Sequence, residues 1–253
     1  MRLKKGTSLL QRRAGEVKRY RQEKKIVPII MGCIALVTVI VYVISLLYTR
    51  FGSFTVSVNK FHNLDYGLAL CERSDFTNPT ARLDCKDSKE ITNIDGKLLD
   101  NVPLGSVDGA QNGENYICYT FYCKNTGKQT LNYSFSMNIV NMTLEIEKAV
   151  RVRYITSLNG EKAVSTDYAK AKSVDENLNP VPETYPRVCK PFLEERMICY
   201  EVQKNFKPGD TMKQTVAIWL EGNDEDCVDK IIGGIFKIDM KFEVTEVVGD
   251  GSN

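Results

Sequence analysis

Beyond residue 53, apolar and polar residues alternate along much of this chain. In LNYSFSMNIV, Leu131, Tyr133, Phe135, Met137 and Ile139 fall on one side; Asn132, Ser134, Ser136 and Asn138 fall on the other. GIFKIDMKFEV repeats the pattern, with Phe236, Ile238, Met240, Phe242 and Val244 set against Lys237, Asp239, Lys241 and Glu243. FTVSVN (54–59), NYICYTFYCKN (115–125), RMICYEVQ (196–203) and TMKQTVAIWL (211–220) read the same way. A period of two predicts half-buried antiparallel strands, because successive side chains leave a strand on opposite faces. Turn chemistry separates the runs. KNTGKQ (124–129) parts two strands, LNG (158–160) gives an Asn-Gly hairpin after RVRYI, and FKPGD (206–210) gives a Pro-Gly turn. LEIEKAVRV (144–152) breaks the rule and reads as a short helix or a crossover. Residues 170–187, with three prolines, read as a long excursion. About eight strands and little helix predict an all-β fold, an antiparallel β-sandwich of jelly-roll-like type over residues 51–248, with a flexible tail at 249–253.

The N-terminus is different. IVPIIMGCIALVTVIVYVISLLY, residues 26–48, contains no charged residue. As a helix it would extend ~34 Å, enough to cross a hydrocarbon core of ~30 Å. Pro28 falls in the first turn, where a missing N–H costs little. Tyr42 and Tyr48 lie towards the far end, where an amphipathic ring suits the interface. The run is longer than the apolar region of a cleaved signal peptide, and SLLYTRFGS has no small-residue cleavage site. The expectation is a single transmembrane helix acting as a signal-anchor.

Charge orients it. Residues 1–25 hold ten Lys/Arg and two Glu, a formal +8; the whole chain is +2, so the remainder carries −6. Positive residues stay inside, which predicts a basic cytoplasmic tail (1–25), a type II single-pass topology in the cell membrane and an extracellular C-terminal domain. The tail then faces anionic headgroups, so the lipid bilayer is its expected partner. Outside the tail no basic stretch alternates with stacking aromatics, and no nucleic-acid partner is expected.

Catalytic motifs are missing. The chain has one histidine, His62, and no H-E-x-x-H, G-x-S-x-G or phosphate-cradling glycine loop. A zinc hydrolase needs two or three histidines or a histidine–carboxylate set, so the metalloprotease reading is disfavoured and no catalytic residue is assigned. Two loops invite calcium, a hard cation that takes six to eight oxygens. EGNDEDCVD offers Glu221, Asn223, Asp224, Asp226 and Asp229, alongside Glu225. DGAQNGE offers Asp108, Asn112 and Glu114, in a loose likeness to an EF-hand loop whose third and twelfth positions are Ala110 and Tyr119. If both loops lie at one end of the sandwich they share an ion; the alternative is that both are solvated connections.

Cys33 falls in the apolar run and seven cysteines lie beyond it, an odd number in a compartment that permits disulfides. Cys189 and Cys199 flank KPFLEERMI and are placed to close a hairpin. Cys118 and Cys123 differ by five and point to opposite faces of a strand. Buried free thiols are the alternative to pairing.

Four stretches together carry a resemblance: GSFTVSVNKF, SVDGAQNGENYICYTFYCKNTGKQTLNYSFSM, AVRVRYI and FKPGDTMKQTVAIWLEGNDEDCVDKIIGGIFKIDMKF. They resemble uncharacterised single-pass surface proteins of Clostridia-like bacteria and, more remotely, the camelysin/TasA-type extracellular proteins. That resemblance implies a jelly-roll-like β-sandwich, and for some members assembly into matrix fibres. Members usually carry a cleaved signal peptide, whereas this chain reads as keeping its anchor. Cys85 and Cys227 sit in loops typical of the relatives, and the resemblance implies that they pair; Cys71 with Cys85 is the local alternative. The function expected is that of a membrane-anchored, non-enzymatic surface protein for adhesion or for cell-surface or matrix assembly. Its partners would be a second copy or another cell-surface protein, engaged through sheet edges or end loops. The alternatives are an extracellular sensor or accessory subunit of a membrane complex and, less favoured, a hydrolase.

Overall fold

The structure, a computed structural model, describes residues 27–42, 54–58, 67–85 and 90–248. The chain divides into two compact units, Met1–Phe51 and Gly52–Asn253. In the first, residues 27–42 form an α-helix with no charged residue, and all of them are exposed. Sixteen residues extend ~24 Å. Among the described residues no helix is long and apolar enough to cross a membrane. The basic segment 1–25, residues 26 and 43–48 of the expected span, His62 and the tail 249–253 lie outside the described residues.

The second unit is all-β. In chain order its described strands are β1 (Phe54–Val58), β2 (Leu68–Cys71), β3 (Arg82–Cys85), β4 (Asn93–Ile94), β5 (Gly109–Ala110), β6 (Tyr116–Asn125), β7 (Thr130–Met142), β8 (Val150–Leu158), β9 (Val164–Ala169), β10 (Ser173–Val174), β11 (Pro180–Val181), β12 (Lys190–Pro191), β13 (Met197–Phe206), β14 (Thr211–Glu221) and β15 (Phe236–Val248). The smaller main sheet runs β13-β7-β15-β1-β3 and the larger runs β12-β9-β8-β14-β6-β2; β4 adds to β14, β5 to β6, and β10 and β11 form a separate ribbon inside the 170–187 excursion.

Period two decides which face meets the core. From β7, Leu131, Tyr133, Phe135, Met137 and Ile139 are buried; from β15, Ile238, Met240 and Phe242 are buried. They meet Tyr119, Phe121, Val152, Tyr154, Val216 and Ile218 of the larger sheet in one apolar cluster. Rings cross the gap: Phe121 meets Phe242 edge-on at 6.1 Å, and Phe135 lies 5.2 Å from Tyr154. Burying each such side chain stabilises the fold by about 1.5–3 kcal/mol. Cys118 and Cys123 face oppositely, as their spacing requires: Cys123 joins the core and Cys118 does not.

The Asn-Gly turn joins β8 to β9, with Asn159 at φ 49° and Gly160 at φ 78°, both in the left-handed region that a tight hairpin needs. Residues 144–152 resolve into a short 3-10 helix, Ile146–Lys148, followed at once by β8. Three pairings depart from the antiparallel expectation: β1 with β15, β9 with β12, and β4 with β14 are parallel. The first joins the two ends of the unit, so no hairpin dictates its direction. A second departure matters more for function. β6 and β14 read as half-buried strands, yet both of their faces are buried, because a further layer covers the outside of the larger sheet.

Candidate functional site: a charged layer over the larger sheet

The covering layer is built from residues 93–113, 183–189 and the acidic loop 221–229. Two glycines let it lie close. A Cβ on Gly96 would sit 2.5 Å from Glu221 Oε2 and 2.9 Å from Trp219 Nε1. Gly105 has φ +79°, and a Cβ there would sit 2.5 Å from Thr215 Oγ1. The Lys213 ammonium also donates to the Gly105 carbonyl at 2.6 Å.

Beneath the layer are charges that strands present to the outer face. Arg151 and Arg153 alternate with Val150 and Val152 on β8, so both arginines point outward. Trp219 stands opposite Arg151 in β14 and Asp167 stands opposite Arg153 in β9. Arg153 grips Asp167 through two bonds, 2.7 and 2.8 Å, and reaches Asp100 at 2.9 Å. Its guanidinium lies 5.4 Å over the Trp219 ring. Burial pulls the Arg153 pKa down, but Asp167 and Asp100 outweigh it and hold the group above its ordinary value. Arg187 shares Asp100 at 2.6 Å. Arg151, 1% exposed, pairs with Asp224, lies 3.7 Å from Glu183, and donates to the carbonyls of Lys148, Val150 and Tyr185.

Of the acidic-loop residues, Glu221 is fully buried. Its carboxylate accepts from the Gly96 N–H at 3.0 Å, the Trp219 indole at 3.1 Å and the Asn223 N–H at 3.2 Å. Asn223 also donates to the Tyr185 hydroxyl, which donates in turn to Asp95 at 2.7 Å. Asp224 is spent on Arg151 and on the Asp226 N–H. Glu225 pairs with Lys172 at 3.0 Å. Asp229 opens a short 3-10 helix, and its carboxylate side is exposed. Within this loop the buried oxygens of Glu221 and Asp224 have protein donors, while Glu225 and Asp229 are exposed. Among the described residues no group of three or more His, Cys, Asp or Glu is placed to hold a metal ion.

The second loop sits elsewhere. Asp108 accepts from the Tyr122 hydroxyl at 2.6 Å and the Ser74 N–H at 2.9 Å. Burial raises its pKa, but these donors outweigh that and hold the carboxyl below its ordinary 3.8. Asn112 accepts from the Cys118 N–H at 2.9 Å, and Glu114 is exposed. Tyr122 stands opposite Lys213, eight residues before Glu221 on β14, which puts the Asp108 end of the loop about 27 Å along the strand from the acidic loop at ~3.4 Å per residue; Asn112, on the Cys118 N–H, lies opposite Ala217, only four residues before Glu221.

The structure shows no disulfide among the described residues. Cys85 ends β3 and Cys199 lies in β13, both in the smaller sheet; Cys227 lies in the loop after β14 and Cys189 leads into β12, both in the larger. Burial pushes the Cys118 and Cys189 thiols up to about 11 and Cys199 to about 12. Burial also raises Cys123 and Cys227. Such thiols stay protonated near neutral pH and make poor nucleophiles.

The residues that build this layer, Arg151, Arg153, Asp100, Asp167, Glu183, Arg187 and Trp219, were not among those singled out in the sequence. Two signals pointed to them. Counting back from the Asn-Gly turn sets Asp167 against Arg153, and the one tryptophan of the chain stands immediately before the acidic loop. Chemically the arrangement fastens three loops to one sheet.

No family model matches the chain, and no curated protein matches it. Among solved structures there is a similarity to a β-glucosidase from Kluyveromyces marxianus, crystallised in complex with glucose. It has 13% identity over 72% of this chain, with a TM-score of 0.20. This chain spans 16% of that chain's length. At that level of superposition the likeness carries no argument about fold or activity.

Proposed function

We propose that this chain is a membrane-anchored surface protein that works by adhesion or assembly. Residues 26–48 are the anchor, residues 1–25 face the cytoplasm, and the β-domain stands outside. The uncharged run in the sequence supports the anchor, as does the exposure of every residue in the helix 27–42. The reading includes a jelly-roll-like sandwich: consecutive long strands alternate between sheets, with β6, β8 and β14 in the larger and β7, β13 and β15 in the smaller. The charged layer fastens its loops over the larger sheet, since the buried acids and bases pair with one another.

The observation that carries the functional reading is β13. It is a ten-residue strand at the edge of the smaller sheet, with Tyr200 and Val202 exposed on its outer face. An edge strand presents unpaired backbone donors and acceptors, and it templates pairing with another chain.

The test has two parts. Protease added to intact cells should digest the β-domain and leave the tail intact. The full chain in detergent, followed by light scattering over a range of concentrations, should gain mass. A chain that stays monomeric throughout, and that binds neither cell wall nor sister cells, overturns the reading.

A further inference from the structure

We infer that β13 is a two-fold self-pairing edge, the partner being β13 of a second copy of this chain. This rests on the assembly reading and names its surface and its register. The start of the strand is closed by its own hairpin: Leu193 N–H donates to Ile198 O, and Glu194 pairs with Met197. The regular pairing with β7 runs from Cys199 to Gln203 and ends in a bulge before Phe206. The open stretch is therefore Cys199–Asn205. Within it Tyr200 is 50% exposed and Val202 46% exposed, two residues apart on the sheet's outer face.

Two identical strands in one continuous antiparallel sheet must set same-face residues opposite each other, which leaves few registers. Centring on Glu201 would put Glu201 against its own copy, and like charges directly opposite are destabilising. Centring on Gln203 would put Val202 against the charged Lys204. Centring on Val202 overlaps the whole open stretch. It sets Val202 against Val202 and the Tyr200 ring against the Lys204 stem and ammonium, while Glu201 keeps its own bond from the Tyr168 hydroxyl at 2.8 Å. The exposed pairs of the outer face are then apolar or cation–ring. The contact is isologous, so it closes at two copies. The bulge and Lys204 end the edge and oppose further addition.

Cysteine cross-linking of the full chain in detergent tests the register. Val202→Cys places two thiols directly opposite, at a Cβ separation of about 4.5–5.5 Å, within reach of a disulfide after small adjustment. Tyr200→Cys places its two copies four residues apart, about 13 Å. Under mild oxidation, Val202→Cys should run as a dimer of doubled mass on a non-reducing gel, while Tyr200→Cys and the parent chain should not. Val202→Lys should abolish the growth of mass with concentration. Equal cross-linking of both cysteine variants, or of neither while the parent still gains mass, overturns the edge and leaves the assembly reading standing. A parent chain that is monomeric at every concentration overturns both.

Discussion

Replacing Arg151 by leucine would remove the cation on which two loops converge. The side chain is 1% exposed; its partner Asp224 is 4% exposed and Glu183 lies close by. Leucine fills most of the volume but leaves the Asp224 carboxylate buried without a counter-charge. It also frees the carbonyls of Lys148 and Tyr185 that Arg151 bonds at 3.2 and 3.3 Å. Breaking a buried pair from one side costs about 3–5 kcal/mol, because the remaining charge stays desolvated. A domain of this size loses about 2–4 °C of melting temperature per kcal/mol, so Arg151→Leu should melt roughly 6–20 °C lower. The orphaned charge is the main cost, so removing it should restore stability. Asp224→Asn keeps an oxygen for the Asp226 N–H, bonded at 2.8 Å, while discarding the charge. The double variant Arg151→Leu/Asp224→Asn should recover at least about 1 kcal/mol over the single one, a coupling normal for residues in contact. Urea unfolding reads this directly, since Trp219 is the chain's one tryptophan and is fully buried across the strand pair from Arg151. A single variant that loses less than about 1 kcal/mol, or a double variant no better than the single, refutes the reasoning.

Gly96→Ala should shift the Trp219 emission and lower stability, because the new Cβ would fall 2.5 Å from Glu221 Oε2 and lift the covering layer; an unchanged spectrum would show that the layer is loose. Calcium up to millimolar levels, or a chelator, should leave the melting temperature unchanged, because the buried acids of the loop already have donors; a rise that grows with calcium concentration would mean selective binding to the folded state. Asp108 titrates below its ordinary 3.8 when folded, so its contribution is present above that value and is lost as pH falls through the folded pKa. Asp108→Asn should flatten the loss of stability between pH 5 and 3, and an unaltered acid limb would count against that pairing. In the native state Cys118, Cys123, Cys189 and Cys199 should resist alkylation at neutral pH and react at the rate of unfolding; rapid labelling of any of them would contradict its burial.

The legible part of the fold is the part that repeats. Leu131 to Ile139 and Phe236 to Val244 show their buried face because each packs one face on a core and turns the other outward, so a period of two reports burial faithfully. β6 and β14 show where that inference stops. Their alternation marks the inner face correctly, but the covering layer comes from residues 93–113, 183–189 and 221–229, segments with no period of their own. Its two anchoring glycines look like any loop glycines until Trp219 and Thr215 are placed beneath them. RVRYI misleads for the same reason. Arginine alternating with valine reads as a solvated face, yet both arginines are buried, and the charges that permit this lie 14 residues away at Asp167 and 73 away at Asp224.

The acidic loop is the complementary case. Five acids in nine residues suggest either a cation or solvent when read locally. The cations that Asp224 and Glu225 meet are Arg151 and Lys172, and Glu221 meets backbone and indole N–H groups. None of these lies next to the loop in sequence except Trp219 and Asn223. Charge in such a stretch identifies a binding surface only after the protein's own opposite charges have been placed. Here the placement shows that Asp224 and Glu221 fasten this loop to the larger sheet, and the open edge at β13 offers a surface that no such internal partner occupies.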